Sequence, residues 1–84
     1  MTAPHRIAVL GAGSWGTALA ILLARNGHDV RLWGNDPPAL AELARARRNL
    51  RYLPAAIFPD SLSVHTDVDA ALADRADVLI VVPS

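Results

Sequence analysis

Apolar runs alternate with helical patterns from the start of the chain. The segment over about Arg6–Leu10 is continuously apolar after its first residue, which is typical of a buried strand. Helical periodicity follows over about Ser14–Asn26, with Gly27 placed as a C-terminal stop. A second strand is predicted at Asp29–Gly34, so the chain opens with a strand–helix–strand unit.

The alternation continues through the second half of the chain. A helix is predicted to open at Asp36-Pro37, because aspartate suits an N-cap and proline suits the first helical turn. The range 49–60 contains two prolines and is predicted to be an irregular loop. Three further elements are predicted: a short strand at Leu62–Val64, a helix over about Asp67–Leu72 or Ala73, and a strand at Val78–Val82.

A glycine-rich turn, Gly11-Ala12-Gly13-Ser14-Trp15-Gly16, joins the first strand to the first helix. The pattern G-x-G-x-x-G in this strand–turn–helix context is a dinucleotide-binding fingerprint. Gly11 permits the tight turn, Gly13 leaves room for a pyrophosphate, and Gly16 allows close packing of helix on strand. The helix start presents unpaired backbone N–H groups and the positive end of its dipole. We therefore expect a dinucleotide to bind here.

These elements predict an α/β fold with a partial, doubly wound parallel sheet of the Rossmann type. The first and last strands are continuous apolar runs, as expected of central strands covered on both faces. Right-handed crossovers then give the strand order 3-2-1-4, counting the four predicted strands along the chain. A ligand crevice is expected between the first and fourth strands, with Gly11–Gly16 on one side and Pro83-Ser84 on the other.

The tip of the second strand bears on which dinucleotide is bound. Asp36 follows Gly16 by the spacing expected of a ribose-binding carboxylate, but the prolines after it favour an N-cap, and both interpretations stay open. Asn35 can hydrogen-bond near the ribose without repelling a 2′-phosphate. We therefore expect NADP to be accepted, and NAD as well.

Two further features each have two interpretations. Trp15, within the glycine turn, either packs against the cofactor or wedges against a neighbouring loop. A group of arginines could add positive potential near the ribose, although a solvated helix face is favoured for such charge runs. These are Arg45, Arg47, Arg48 and Arg51.

Composition excludes several classes of function. The 84 residues carry a formal net charge of zero, which argues against nucleic acid as a partner. The chain has no cysteine, and its three histidines lack metal-site spacing, so no metal site is expected. No signal peptide or membrane-length apolar run is present, and we expect a cytoplasmic protein without a membrane partner. Whether it forms a homodimer is left open by the sequence.

The chain closely resembles the N-terminal segment of bacterial NAD(P)-dependent glycerol-3-phosphate dehydrogenase. The glycine turn alone is common to many dehydrogenases, whereas the stretches below are more specific in combination. They are Gly11–Ala20, Leu23–Val30, Leu32–Gly34, Asn49 with Tyr52–Pro54, and Val81–Ser84.

The resemblance implies reduction of dihydroxyacetone phosphate to sn-glycerol 3-phosphate, which feeds phospholipid synthesis. It implies that Ser14 and Trp15 contact the cofactor at the helix start. Asn35 would take the 2′-phosphate or ribose position, where the family often has His or Arg. Tyr52 would either approach the cofactor or have a structural role in its loop, and Pro83-Ser84 would border the nicotinamide ribose.

No catalytic residue is expected in this chain. The family's substrate-binding and catalytic lysines lie beyond this segment, and the chain contains no lysine. Protonation of a developing alkoxide needs a positioned acid, and His28 and His65 are expected at the wrong ends of strands for that role. We therefore expect residues 1–84 to be the N-terminal part of an NAD(P)-binding domain, truncated before a C-terminal α-helical domain. That absent domain would bind the small phosphorylated substrate.

Other classes of protein carry similar turns. A different Rossmann reductase, such as one acting on ketopantoate, would share the glycine motif but not the combined stretches above. A non-catalytic nucleotide-sensing module would explain the missing lysines without truncation. A methyltransferase is disfavoured by the intact third glycine and by the lack of an acidic residue ending the second strand.

Overall fold

A computed structural model describes residues 4–49, 53–67 and 77–82. Within these ranges two helices and six strands follow one another along the chain. They are β1 (Arg6–Leu10), α1 (Ser14–Arg25), β2 (Asp29–Trp33), α2 (Pro37–Ala46), β3 (Arg48–Asn49), β4 (Leu53–Ile57), β5 (Leu62–His65) and β6 (Val78–Val81). The predicted third helix lies outside the described residues, except for its first residue, Asp67.

The main sheet has four parallel strands in the order β5-β2-β1-β6. This is the predicted order 3-2-1-4, since β5 and β6 are the third and fourth strands of the sequence-based scheme. The register pairs Leu10 with both Trp33 and Val81, so three strands end level at the carboxyl edge. The turn after β1 therefore opens where β2 and β6 also end.

The prediction of an irregular loop over 49–60 is wrong. Residues Arg48–Asn49 and Leu53–Ile57 form an antiparallel two-stranded ribbon, with a register shift between Arg48 and Asn49. Arg47, in the left-handed conformation at φ 54°, ends α2 and turns the chain into this ribbon. Pro54 is tolerated in β4 because each strand of a two-stranded ribbon pairs on one side only. A residue whose backbone N faces the unpaired side does not need an N–H to donate.

One face of the sheet carries the core. α1 buries positions spaced three and four residues apart, which face the apolar side chains of β1 and β2. Each fully buried leucine or valine contributes about 1.5–3 kcal/mol by leaving water. The main cluster of buried apolar residues is Ile7, Val9, Ala20, Ile21, Ala24, Val30, Leu32, Leu40, Leu43, Phe58 and Leu62. This core fixes the position of α1, and with it the position of the glycine turn.

Neither helix in the described part of the chain has the length and apolar character needed to span a bilayer.

Candidate functional site

The glycine turn lies at the carboxyl edge of the sheet and is bonded to both flanking strands. The Gly11 amide donates to the Trp33 carbonyl at 2.6 Å, at the end of β2. On the other side, the Val82 amide donates to the Leu10 carbonyl at 2.8 Å, just after β6. The turn is therefore held between the ends of β2 and β6, at the switch point where open α/β sheets bind ligands.

Gly11 makes the sharp turn that the sequence predicts for it. Its φ is +128°, a conformation that residues with a side chain rarely adopt. A Cβ at this position would also collide with the Val82 carbonyl oxygen. The need for glycine here thus comes from the protein itself.

Gly16 is buried in the first turn of α1, directly against the start of the glycine turn. A Cβ built on Gly16 would overlap the Gly11 carbonyl oxygen, and the Gly11 carbonyl carbon would lie at 2.8 Å. This contact lets α1 begin close to the end of β1, which is the packing role predicted for Gly16.

Gly13 differs from the other two glycines of the motif. It is exposed and forms the N-cap of α1 with φ −75° and ψ −163°, so its backbone is extended. A Cβ added to Gly13 would meet no atom of the described residues within 4 Å. Neither backbone conformation nor packing therefore requires glycine at this position, and the space in front of it is open to a ligand.

No side chain at the start of α1 caps its first amides or offsets the positive end of its dipole. There is no side-chain capping hydrogen bond at Gly13 and no acidic residue in the first turn. The first amides of a helix have no partner within the helix and carry the positive end of its dipole. Ser14 and Trp15 stand exposed at this end, and the Trp15 side chain is 76% exposed. Trp15 is thus not wedged against a neighbouring loop among the described residues.

Behind the turn lies a polar contact that sequence reasoning missed. The Thr17 hydroxyl donates to the Ala12 carbonyl at 3.1 Å, and the Asn49 amide nitrogen Nδ2 donates to the Thr17 hydroxyl at 3.2 Å. Thr17 and Asn49 are both buried, at 0% and 4% exposure. No short-range pattern links the two residues, although both occur in stretches that carry the family resemblance.

At the tip of β2, Asp36 and Asn35 have different surroundings. An Asp36 carboxylate oxygen accepts from the Ala39 amide at 3.4 Å, and the chain continues into α2 through two prolines. Of the two interpretations of Asp36, the helix cap is the one that has a contact in the structure. Asn35 is exposed just after β2, beside the glycine turn that β2 contacts.

The arginines near α2 are engaged locally. Arg45 pairs with Glu42 on the exposed face of α2, and this pairing holds the pKa of the Glu42 carboxyl below its ordinary value. Arg47 donates to the Pro59 carbonyl at 2.8 Å and lies over the Phe58 ring at 5.7 Å. For Arg45 and Arg47 the structure favours a surface and packing role, whereas Arg51 lies outside the described residues.

The histidines lie away from the crevice, but one expectation about them was wrong. His28 precedes β2 at the amino edge and stacks on His5 at 5.6 Å between ring centroids. His65 is the last residue of β5 and so stands at the carboxyl edge, contrary to the expectation. Two strands, β2 and β1, separate it from the β1–β6 boundary.

Other predicted site residues fall outside the described ranges. Tyr52, Pro83 and Ser84 belong to this group, so the structure places none of them. Within residues 4–49, 53–67 and 77–82, no three His, Cys, Asp or Glu side chains are grouped as a metal site.

Comparison with known proteins adds a family match. The family described as "NAD-dependent glycerol-3-phosphate dehydrogenase N-terminus" matches residues 6–84. The glycerol-3-phosphate dehydrogenase (NAD(P)+) of Thioalkalivibrio sulfidiphilus is 62% identical over 78 residues, covering 93% of this chain and 23% of that protein. The enzyme of the same name from Xanthomonas oryzae pv. oryzae is 58% identical over 80 residues, covering 95% and 24%.

Solved structures agree with this match. The crystal structure of glycerol-3-phosphate dehydrogenase from Coxiella burnetii superposes with a TM-score of 0.87 at 51% identity, covering 96% of this chain and 25% of that one. A glycerol-3-phosphate dehydrogenase structure from Plasmodium falciparum gives a TM-score of 0.76 at 27% identity, with 94% and 24% covered. The chain spans about a quarter of the length of these relatives.

Proposed function

Because the chain belongs to the family of NAD-dependent glycerol-3-phosphate dehydrogenase N-termini, we propose that residues 1–84 are the N-terminal part of its NAD(P)-binding domain. The complete enzyme would interconvert dihydroxyacetone phosphate and sn-glycerol 3-phosphate by hydride transfer. The observation that carries the proposal is the open space at Gly13, in front of an uncapped helix start at the carboxyl edge of the sheet.

The residues of the glycine turn fit the diphosphate of a nicotinamide dinucleotide. Gly13 leaves the space into which a Cβ would project, and the first amides of α1 provide donors and positive potential for an anion. Ser14 and Trp15 flank this space from the first turn of α1. In this proposal Gly11 and Gly16 shape the turn, whereas Gly13 faces the diphosphate.

The remaining predicted contacts are assigned to the two ends of the cofactor. We place Asn35 at the adenosine ribose, where its neutral amide accepts NAD or NADP because it does not repel a 2′-phosphate. We assign Tyr52 and Pro83 to cofactor contact on the strength of the stretches that carry the family resemblance. Pro83 directly follows Val82, whose amide is bonded to the end of β1.

The chemistry of the reaction divides between this segment and the rest of the enzyme. When bound in its reduced form, the nicotinamide would supply the hydride for the substrate carbonyl carbon. This segment would bind and orient the dinucleotide at the carboxyl ends of the adjacent strands β1 and β6. The alkoxide needs a proton, and the chain contains no lysine, so we assign the acid and the phosphate-binding groups to residues beyond 84.

The cellular role follows from the substrate. We infer that the glycerol phosphate formed is consumed in phospholipid synthesis, as the sequence resemblance implies. We also infer a cytoplasmic location, because nicotinamide nucleotides and triose phosphates are both charged metabolites available there.

The test is a spectrophotometric assay of the full-length protein with dihydroxyacetone phosphate and NADH or NADPH. We expect substrate-dependent loss of absorbance from the reduced nicotinamide, with glycerol 3-phosphate as the product. Binding of the dinucleotide without turnover of this substrate would instead support a nucleotide-sensing module. Turnover of ketopantoate and not of the triose phosphate would support a different reductase.

A further inference from the structure

The contact between Asn49, Thr17 and Ala12 has a defined direction. A hydroxyl has one proton to donate, and that of Thr17 is directed to the Ala12 carbonyl at 3.1 Å. Thr17 therefore accepts at 3.2 Å from Asn49, whose Nδ2 can only donate. The order is Asn49 amide to Thr17 hydroxyl to Ala12 carbonyl, and we call these three groups the Asn49 relay.

The Asn49 relay ends on one peptide group of the glycine turn, the one between Ala12 and Gly13. The Ala12 carbonyl and the Gly13 N–H belong to the same planar peptide, in which they point in opposite directions. No cis peptide occurs among the described residues. Because the Ala12 carbonyl is directed inwards to the buried Thr17, the Gly13 N–H is directed away from it, on the exposed side where Gly13 lies.

Burial makes the relay sensitive to any loss of a partner. Thr17 is fully buried and Asn49 is 4% exposed. Among the described residues, no buried side-chain nitrogen or oxygen lacks a hydrogen-bond partner. Asn49 lies in β3, in the ribbon that follows α2. A hydrogen bond closes this ribbon, in which the Phe58 amide donates to the Arg47 carbonyl at 2.7 Å. Asn49 of the ribbon thus contacts Thr17 of α1 from 32 residues further along the chain.

We propose that Asn49 is a positioning residue for the cofactor diphosphate, acting through Thr17 and Ala12 to keep the Gly13 N–H facing the ligand. This proposal rests on the function proposed above. Asn49 does not touch the cofactor itself. Its effect is to preorganise one donor, so that binding does not have to rotate the peptide first.

The variant that tests the proposal is Asn49→Asp, which keeps the shape of the side chain and removes its donor. A carboxylate only accepts, so the Thr17 hydroxyl turns to donate to Asp and releases the Ala12 carbonyl. We expect the Kd of the full-length protein for NADH and NADPH to rise by about tenfold or more, the scale of one lost hydrogen bond to a charged group. The KM for dihydroxyacetone phosphate should change much less than the KM for the dinucleotide.

A matched control exists at the other end of α1. The Ser61 hydroxyl donates to the Ala24 carbonyl at 3.1 Å, so Ser61→Ala also removes a side-chain hydrogen bond to a backbone carbonyl at the end of α1. We expect Ser61→Ala to lower the melting temperature while leaving the dinucleotide Kd unchanged. If Asn49→Asp lowers the melting temperature similarly and also leaves the Kd unchanged, Asn49 is only structural and the proposal is overturned.

Substitutions of Thr17 provide a second test should Asn49→Asp fold poorly. Thr17→Ser keeps the hydroxyl and should retain dinucleotide affinity within about threefold, whereas Thr17→Val keeps the shape and should lose about tenfold. Equal losses in both variants would assign the effect to packing of the methyl group and overturn the proposal. Absence of nucleotide binding by the wild-type protein would instead overturn the proposed function, on which this inference depends.

Discussion

Gly16 lies so close to Gly11 that a Cβ on Gly16 would overlap the Gly11 carbonyl oxygen. The two glycines that bracket the turn therefore pack against each other, and Gly11 in addition packs against Val82. Gly13 lies between them, and a Cβ added there would have no atom within 4 Å in the part of the chain that the structure describes. One sequence motif thus contains glycines that the fold requires and a glycine that it does not.

Replacing Gly16 by alanine should lower the stability of the protein even when no ligand is bound. The added methyl group collides with backbone, which cannot move aside as a side chain can, so we expect a loss of at least about 2 kcal/mol in unfolding free energy. Urea denaturation of the full-length protein measures this loss. An unchanged midpoint would contradict the packing described for Gly16 and Gly11.

Replacing Gly13 by alanine should instead weaken dinucleotide binding and leave the stability of the protein nearly unchanged. The backbone there is extended, so the unfolding free energy should stay within about 1 kcal/mol of wild type, because the lower entropy of the unfolded chain is offset by the poorer N-cap that alanine makes. Dinucleotide affinity measured by calorimetry should fall by more than about tenfold, because the methyl group occupies the place of the diphosphate. Full affinity in a stable Gly13→Ala protein would mean that no diphosphate lies against Gly13.

Replacing Asn35 by aspartate should shift the choice of cofactor. A carboxylate beside the adenosine ribose repels a 2′-phosphate and accepts from ribose hydroxyls. We expect the preference for NADH over NADPH to rise by about 1–3 kcal/mol, the scale for a charged group left badly paired. The ratio of kcat/KM for the two dinucleotides measures this, and an unaltered ratio would show that the tip of β2 does not discriminate.

Asp36 offers the control for that experiment, because its carboxylate caps α2. Asp36→Ser keeps a capping oxygen and removes the charge, so stability and NADH affinity should both stay close to wild type. Asp36→Ala removes the cap and should cost about 0.5–2 kcal/mol. A large loss of NADH affinity in Asp36→Ser would assign the ribose contact to Asp36 instead.

The pH dependence of stability should include a contribution from His65. Partial burial and then the positive charge of Arg31 lower the pKa of His65 from its ordinary value of 6.5, and its ring lies 2.8 Å from the Ser63 hydroxyl. As the pH falls below 6.5, the unfolded chain binds a proton at His65 more readily than the folded chain does. Proton binding therefore favours unfolding, and the free energy of unfolding decreases toward acid pH.

The measurement is the melting temperature of wild type and His65→Gln between pH 7 and pH 5. We expect the decline toward acid pH to be shallower in His65→Gln, because glutamine has no proton to gain. Parallel curves for the two proteins would show that His65 does not contribute to the loss of stability at acid pH.

Much of the fold could be predicted from local patterns. The apolar run before Gly11 and the helical period after Gly16 place β1 and α1 within a residue or two of their bounds. The handedness of crossovers then gives the strand order without knowledge of any contact. The ribbon of β3 and β4 could not be predicted in this way, because Pro54 in β4 and Pro59 after it have the local signature of a loop, and the pairing depends on a partner strand.

That a tight glycine turn joins a buried strand to a helix follows from the order of the residues alone, because motif and periodicity are properties of neighbouring residues. Which glycine leaves room for a ligand depends on the packing of the folded chain, since backbone atoms of the described residues pack against Gly11 and Gly16 but not against Gly13. The contact of Asn49 with Thr17 depends on folding in the same way, because a contact across 32 residues is set by how the ribbon and α1 pack together.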